Sequence, residues 1–314
     1  MPSVAVVVPS WNSAGLLPRC LDAIAAQGEG VELLVVDNGS SDGTLELLRR
    51  RGVEHLSLPR NMGFAAAMNL GASRVTTEAV LALNADAVLA PGAAAVLATA
   101  LGADPGLGGV QPRILQLDGE SAGDPESARL YSAGMALSAD GRALESGAGE
   151  LWSAAYASPR EVFGVCGAAC LLRRQLFDDL GGYDESFFSF YEDVDLNLRA
   201  RIAGWRFAYE PGASAWHFGN ASWQAGFDRP GAENARLVAR NRIVTQARFV
   251  PVVALPRIAA VEAGSLTRAA RQRRLRATLR GKLEGLARLP AALRERRRLA
   301  AAGDSELARR WLGA

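Results

Sequence analysis

Three short apolar runs constrain this chain more than any other feature, because each ends abruptly in a polar cluster. Val4-Ala5-Val6-Val7-Val8 stops at Pro9-Ser10-Trp11-Asn12, Val31 to Val36 stops at Asp37 to Asp42, and Ala79 to Leu83 stops at Asn84-Ala85-Asp86. Continuous β-branched and aliphatic runs without alternation are the pattern of strands buried on both faces. Between them lie segments of helical spacing. Leu17, Leu21 and Ile24 repeat at helical intervals after Asn12 or Ser13, either of which can cap. Thr44 to Arg51 and Gly63 to Ser73 are further helices, and His55 to Leu58 is a third strand. Strands alternating with helices predict an α/β layer fold with a mostly parallel sheet flanked by helices. In such sheets ligands bind beyond the carboxyl ends of the strands, where the three polar clusters fall.

Further along, order is less regular. Gln116 to Pro159 is rich in Gly, Ser, Ala and acids and reads as loops and short strands around one edge. Val162 to Arg173 returns to a strand-like run, and Gly181-Gly182-Tyr183-Asp184 is a turn. Ser189-Phe190-Tyr191-Glu192 fits a capping box, with Val194, Leu198 and Ile202 on the buried face of the helix that follows.

Charge divides the chain in two. Residues 1–239 carry 17 Lys+Arg and 28 Asp+Glu, a net of −11, whereas residues 240–314 carry 18 and 5, a net of +13. The predicted organisation is therefore one large domain over 1–239 and a basic amphipathic helical extension over 240–314. No run of 18 apolar residues is present, so no spanning helix is expected. Met1 to Val8 reads as a first strand and not as a leader. Cys20, Cys166 and Cys170 have no zinc-site spacing with histidine, so buried free thiols and a cytoplasmic setting are expected.

Several residues have the chemistry for a site, each with a structural reading beside it. Asp86, at a strand end, suits a hard divalent cation such as Mg2+ or Mn2+, which takes oxygen ligands and leaves room for substrate phosphates; it equally suits a turn before Pro91. Asp37 could accept hydrogen bonds from a nucleobase or ribose, while Asp42 suits a cap for the helix at Thr44. His217 would need a carboxylate partner to hold a metal, which Asp86 could supply. His55 has no such context. Glu192-Asp193-Val194-Asp195 follows Phe187 to Tyr191, five residues with four aromatics. Glu192 has the capping role and Asp195 can pair with Arg199, whereas Asp193 lacks an equally obvious structural task. A carboxylate beside an aromatic pocket is a candidate general base. Neither a GxGxxG nor a Walker A pattern occurs.

Taken in order, the stretches VVVPSWNSAGLLPRCL (ending at Leu21), VVDNGSSDGT (35–44), NMGFAAAMNLG (61–71), LALNADAVLAPG (81–92), VCGAACLLRR (165–174), GGYDESFFSFYEDVDLNLRARIAGW (181–205) and HFGNAS (217–222) resemble family 2 glycosyltransferases of the GT-A (Rossmann-like) fold, most of all their rhamnosyltransferase-like branch. The resemblance implies a nucleotide-sugar site formed by Pro9, Ser10, Asn12, Asp37, Asn38, Ser40, Asn61, Gly63, Phe64, Asn69, Asn84 and Asp86. It implies a divalent metal, Mg2+ or Mn2+, on Asp86 and His217. It makes Asp193 the catalytic base and places Gly167, Tyr191, Glu192 and Trp205 on the acceptor side. The family's metal motif is commonly Asp-x-Asp; here its first position is Asn84, which leaves Asp86 as the only carboxylate of that turn.

The implied reaction is a single inverting displacement onto a hydroxyl of a lipid-linked or polysaccharide acceptor, with rhamnose from dTDP-rhamnose as the first expectation and uridine-linked galactofuranose, glucose or galactose as alternatives. Residues 249–298 could lie on an anionic membrane at the inner face of the cell membrane, or form a solvated appendage or a homodimer interface. Competing readings are a sugar nucleotidyltransferase, a catalytically silent glycan- or nucleotide-sugar-binding module, and nucleic-acid binding by the arginines. The first lacks its glycine-rich loop and nearby lysine, since Lys282 is the only lysine. The last lacks interleaved aromatics apart from Trp311 and matches no module, so no nucleic-acid partner is expected.

Overall fold

The computed structural model describes residues 1–117, 123–138, 140–219 and 230–302. The first half is a regular alternation: β1 (Val4–Ser10), α1 (Leu17–Ala25), β2 (Val31–Asp37), α2 (Thr44–Arg50), β3 (His55–Ser57), α3 (Phe64–Arg74) and β4 (Ala79–Leu83). Then come β5 (Ala87–Leu89), α4 (Ala93–Ala103), β6 (Leu107–Gln116), and the short edge strands β7 (Leu130–Ser132), β8 (Met135–Leu137), β9 (Ala143–Glu145) and β10 (Arg160–Val162). The chain continues through β11 (Ala169–Arg173), α5 (Arg174–Leu180), α6 (Glu192–Ile202) and β12 (Arg206–His217). It ends in four helices, α7 (Pro230–Phe249), α8 (Leu255–Arg271), α9 (Leu275–Ala287) and α10 (Leu289–Ala302).

The main sheet runs β10-β12-β6-β11-β4-β1-β2-β3, with β5 on β12 and β7 on β6. From β4 to β3 it is parallel, as the unbroken apolar runs require. β11 then runs antiparallel between β4 and β6, so the other half of the sheet is mixed. Side chains of β1 alternate between two cores. Val4, Val6 and Val8 pack with Leu17, Leu21 and Ile24 of α1 and Leu97 and Leu101 of α4. Val7 faces α3 with Ala65 and Met68. Gly71 makes the α3 contact close, since a Cβ there would lie 2.3 Å from Val7 Cγ1.

Register decides which chain ends meet. Ser10 pairs with Asp37 across β1 and β2. The antiparallel pairing of Ala169 with Leu83 brings the segment before β11 to the same edge, where Asn84 N donates to Ala168 O at 3.0 Å. His217, the last residue of β12, pairs with Ala87, and Phe218 N donates to Asp86 O at 3.2 Å.

Two expected caps are replaced. No side chain caps α1; Ser13 O accepts Leu17 N–H at 2.8 Å instead, and Pro18 occupies the first turn. The capping box at α6 does not form, because Tyr191 precedes the helix at φ 69° with no side-chain cap. Val194 and Leu198 are buried and Ile202 is half-buried. Asp195 pairs with Arg199 at 2.7 Å, as its spacing predicted.

Residues 239 and 240, the expected domain boundary, are consecutive residues inside α7. The charge changes sign there, but the backbone does not break. α7 packs on α9 through Gly281 and Gly285, where a Cβ would lie 2.1 Å from Arg236 O and 2.8 Å from Arg240 O. It is tied to the sheet domain by Arg248, which bridges Asp184 and Asp195 at 2.7 Å each. Among the described residues no helix is long and apolar enough to cross a membrane. Cys20, Cys166 and Cys170 are buried and unbridged.

Candidate active site

A cleft of about 250 Å3 opens where the carboxyl ends of β1, β2 and β4 meet the segment before β11, the start of α6 and the end of β12. Its walls include Pro9, Ser10, Asn38, Asn61, Phe64, Asn84, Asp86, Gly167, Tyr191, Glu192, Asp193 and His217. Twelve of the eighteen residues expected at the site from the sequence thus line one cleft, although they come from segments spread over most of the sheet domain.

One wall is built by backbone turns locked by amides. Asn38 Nδ2 donates to Asn61 Oδ1 at 3.1 Å and Gly63 O at 3.0 Å, and its Oδ1 accepts Met62 N–H at 2.8 Å. Asn61 Oδ1 also accepts Gly63 N–H at 2.9 Å. Gly63 is required by its φ of +90° and by Phe188 O, which a Cβ would approach to 2.4 Å. Beneath this wall, Ser10 Oγ and Asp37 Oδ1 are buried and have no hydrogen-bond partner within the protein. Buried polar atoms without partners are rare in native folds and mark places where a ligand or water completes the set.

Four expected residues support this wall without lining the cleft. Asn12, at φ 49°, donates through its backbone N–H to Ser40 Oγ at 2.9 Å, and its Oδ1 accepts Ser41 N–H at 2.8 Å. Asp37 Oδ2 accepts Ser40 N–H at 3.4 Å, so Ser40 belongs to the same brace. Gly63 is a hinge of the turn. Asp42 serves the turn as well, accepting Ala14 N–H at 3.0 Å and Thr44 N–H at 3.1 Å. These donors and the Thr44 hydroxyl hold its carboxyl below the usual carboxylate range against the opposing effect of burial.

Two expected residues are elsewhere. Asn69 gives its Nδ2 to Tyr183 O at 2.8 Å and Glu185 Oε1 at 3.1 Å and accepts Tyr183 N–H at 2.8 Å, so it fastens α3 to the turn before α6 and does not line this cleft. Trp205 precedes β12, whereas His217 ends it, and the strand separates them by roughly 35 Å. Its Nε1 donates to Asp179 at 3.2 Å, at the far edge of the sheet. Trp205 therefore does not line this cleft. Of the HFGNAS stretch, residues 220–222 lie outside the described residues.

His217 Nε2 lies 3.2 Å from Asp86 Oδ1 and 3.1 Å from Asn84 Nδ2, with both the histidine and the aspartate nearly fully buried. Tyr131 stands edge-on to the imidazole at 4.6 Å and 89°. An oxygen and a nitrogen on adjacent corners of an octahedral ion, each ~2.1 Å from it, lie ~3 Å apart. The Asp86–His217 pair has that separation, so it fits a divalent cation. Among the described residues no group of three or more His, Cys, Asp or Glu could hold a metal. Substrate phosphates and water would have to complete the shell, as small hard cations commonly require.

In the same cleft, Asp193 accepts Gly167 N–H at 3.0 Å on Oδ2 and its neighbour Val194 N–H at 2.8 Å on Oδ1. Burial raises its pKa, although both backbone donors favour the charged form. Glu192 is raised well above the carboxylate range by burial and by the adjacent Asp193 charge. Its Oε2 is buried without a hydrogen-bond partner. Of the two, Glu192 is the more strongly raised. Behind them Glu145 is pushed up to about 7, first by burial and also by Asp193. Ser132 donates to it, and Gln111 Nε2 donates to Ser132 Oγ at 2.8 Å.

Sequence reasoning missed Trp11, Tyr131, Cys166, Ser189, Phe190 and Val238, which also line the cleft. Trp11 and Phe190 stood inside recognised clusters and could have been taken with them. Tyr131 comes from the weakly periodic edge region and Val238 from α7, where no local pattern announces a site.

The family model described as "Glycosyltransferase like family 2" matches residues 2–233. The chain is 29% identical over 237 residues to the N-acetylglucosaminyl-diphospho-decaprenol L-rhamnosyltransferase of Mycobacterium tuberculosis (strain ATCC 25618 / H37Rv), covering 68% of this chain and 75% of that protein. It is 30% identical over 238 residues to the uncharacterized protein y4gI of Sinorhizobium fredii, covering 70% of this chain but only 25% of that one. Among solved structures it is similar to GalNAc-T7 with UDP, GalNAc and Mn2+, at a TM-score of 0.60 and 15% identity over 79% of this chain and 51% of that chain. It is also similar to the mannosyltransferase PcManGT from Pyrobaculum calidifontis with GDP-Man and Mn2+, at a TM-score of 0.53 and 21% identity over 96% of this chain and 86% of that chain. These likenesses establish the GT-A fold.

Proposed function

The chain belongs to the glycosyltransferase-like family 2, and from that premise we propose that it is an inverting hexosyltransferase that moves a sugar from a nucleoside diphosphate carrier to a hydroxyl of a lipid-linked or polysaccharide acceptor. The observation that carries this reading is one shared cleft. Asp193, held by two backbone N–H groups, lines it together with the Asp86–His217 pair.

The nucleoside is bound against Asn38, Asn61 and Phe64, with Ser10 and Asp37 completing their hydrogen bonds to it. Asp193 takes the proton of the acceptor hydroxyl, and its raised proton affinity makes it a better base than an exposed aspartate. The hydroxyl oxygen forms the new bond to the anomeric carbon as the bond to the diphosphate oxygen breaks, and the nucleoside diphosphate leaves with the electron pair. Glu192 and Tyr191 border the acceptor side. Asp86 and His217 would hold Mg2+ or Mn2+, which when bound neutralises charge on the departing diphosphate.

Rhamnose from dTDP-rhamnose is the first donor we propose, supported by the similarity to the mycobacterial rhamnosyltransferase. A lipid-linked acceptor is supported by the surface of the C-terminal helices. Leu275, Leu279, Leu283 and Leu286 are 36%, 41%, 68% and 50% exposed at i, i+4, i+8 and i+11 of α9, which is one helix face. Exposed Arg271, Arg273, Arg274, Arg276 and Arg280 surround it. Apolar side chains ringed by arginine suit an anionic bilayer, with each cation near the surface contributing ~1 kcal/mol. We place the protein on the cytoplasmic face of the membrane for that reason.

A donor screen tests the reading. The protein is incubated with a panel of nucleotide sugars and acceptor lipid, with and without Mn2+ or Mg2+, and nucleoside diphosphate release is measured. Metal-dependent release is expected. Silence across the panel, with nucleotide binding retained, would favour a glycan- or nucleotide-sugar-binding module instead.

A further inference from the structure

The loop that delivers the two carboxylates is held in an unusual shape. Phe188, Phe190 and Tyr191 have φ values of 65°, 65° and 69°. Left-handed backbone is disfavoured for bulky side chains, and three such residues within four positions persist only if their surroundings hold them there. The shape turns three carbonyls of this loop toward one side chain. Asn241 Nδ2 donates to Phe187 O at 3.0 Å, Ser189 O at 2.9 Å and Phe190 O at 2.6 Å. Asn241 is 1% exposed and belongs to α7, on the basic side of the charge boundary.

The amide cannot sit the other way round. Arg240 Nε donates to Asn241 Oδ1 at 2.8 Å, and a guanidinium offers only donors. The amide oxygen must therefore face Arg240, which aims both N–H groups at the loop. A reversed amide would set its oxygen against three carbonyl oxygens. Arg240 reinforces the same point, giving Nη2 to Phe187 O at 2.6 Å.

We propose that Asn241 is a positioning residue of the active site: its amide clamps the carbonyls of Phe187, Ser189 and Phe190, holds the left-handed backbone of this loop, and so sets where Glu192 and Asp193 enter the cleft. The catalytic reading of Asp193 under Proposed function is assumed here, but the clamp itself is not. A helix that the charge pattern assigns to an appendage thus completes the reaction site. Val238, one turn earlier on α7, lines the same cleft.

The test substitutes Asn241→Asp, which keeps the side-chain shape and removes both donors. Hydrogen exchange of the 186–193 backbone is measured beside donor KM and kcat, with Gln246→Ala as a control on the same helix. Gln246 Nε2 donates to Asp140 O at 3.1 Å and not to a carbonyl of the loop. For Asn241→Asp we expect exchange of 186–193 to quicken by about tenfold or more, kcat to fall by about tenfold or more, and donor KM to stay within about twofold. Gln246→Ala should lower the melting temperature without either effect. Should Asn241→Asp not fold, the same measurements on Asn241→Ser, whose hydroxyl reaches one carbonyl at most, decide the matter. Unchanged exchange in a folded variant overturns the clamp whatever the activity. Changed exchange with unchanged kcat overturns its positioning role. If the wild-type protein transfers no sugar, the catalytic reading fails and exchange alone judges the clamp.

Discussion

The backbone N–H of Gly167 donates to Asp193 Oδ2 at 3.0 Å, so a turn before one strand fixes the carboxylate at the start of a distant helix. No side chain at position 167 could replace this contact without cost, because a Cβ there would lie 3.3 Å from the same oxygen. The close approach also excludes water from one face of the carboxylate, which is part of why burial raises its pKa. Fold, positioning and proton affinity therefore meet in one hydrogen bond.

Replacing Asp193 by Asn removes the proton acceptor while preserving shape. Transfer should fall by about 10²- to 10⁴-fold, and calorimetric binding of the nucleotide should be unchanged, since the nucleoside wall is elsewhere. Gly167→Ala should lose between tenfold and about a hundredfold, because a displaced base is worse than a well-placed one but better than none. Near-normal transfer by Asp193→Asn would remove Asp193 from the mechanism.

Chelation should separate the two walls. EDTA is expected to abolish transfer and weaken nucleoside diphosphate binding, leaving binding of the bare nucleoside intact. Asp86→Asn and His217→Ala should each raise the Mn2+ concentration needed for half-maximal release by about tenfold or more, as loss of one of few ligands does. Release with full activity in EDTA would show that the pair holds no working ion.

The pH dependence has a defined sign. Glu145 is pushed up to about 7 in the folded protein, above its unfolded value of ~4.3. The native state then binds the extra proton, so its contribution is fully present below about 4.3 and is lost as pH rises through about 7. The loss is at most about 4 kcal/mol, and less to the extent that water reaches the carboxylate. Melting temperature should therefore fall between pH 5 and 8, and Glu145→Gln should flatten that fall. Transfer runs the opposite way: the acid limb of its rate profile should lie above the ordinary aspartate range, because Asp193 must be ionised to act.

Gly71 offers a test of packing with no chemistry in it. A methyl group there meets Val7 Cγ1 at 2.3 Å and Val36 Cγ2 at 3.0 Å, so Gly71→Ala forces α3 away from the sheet. Overpacking of this kind costs about 1–3 kcal/mol, and thermal unfolding should begin several degrees lower. An unchanged melting temperature would mean that the helix shifts freely.

Membrane attachment should depend on the exposed leucine face of α9. Leu279→Asp with Leu283→Asp should abolish flotation with vesicles containing anionic lipid and leave nucleotide binding unaltered, and high salt should weaken wild-type flotation. A wild-type protein that ignores anionic vesicles at low salt but elutes as a dimer dispersed by these substitutions would assign the face to a second copy of the chain.

Much of this molecule was legible in the residues alone. Buried parallel strands need apolar residues on both faces, so Val4 to Val8, Val31 to Val36 and Ala79 to Leu83 announce themselves, and β4 has the expected bounds. The polar clusters at their ends follow from the same rule, because ligands sit at strand carboxyl ends. What the sequence left open depended on contacts between distant segments. Asn69 and Trp205 stand in recognisable motifs, yet one fastens a helix to a turn and the other caps the far edge of the sheet. Glu192 had a local capping role available, but the left-handed backbone at Tyr191 removed it and turned the acid into the cleft. The charge reversal near residue 240 suggested an appendage, whereas charge records solvent contact and not chain connectivity, and α7 runs straight through it. Even Asn84-Ala85-Asp86 was ambiguous alone. Only the pairing of β12 with β5 brings His217 Nε2 to 3.2 Å from Asp86, because register, and no local preference, sets which strand ends share an edge.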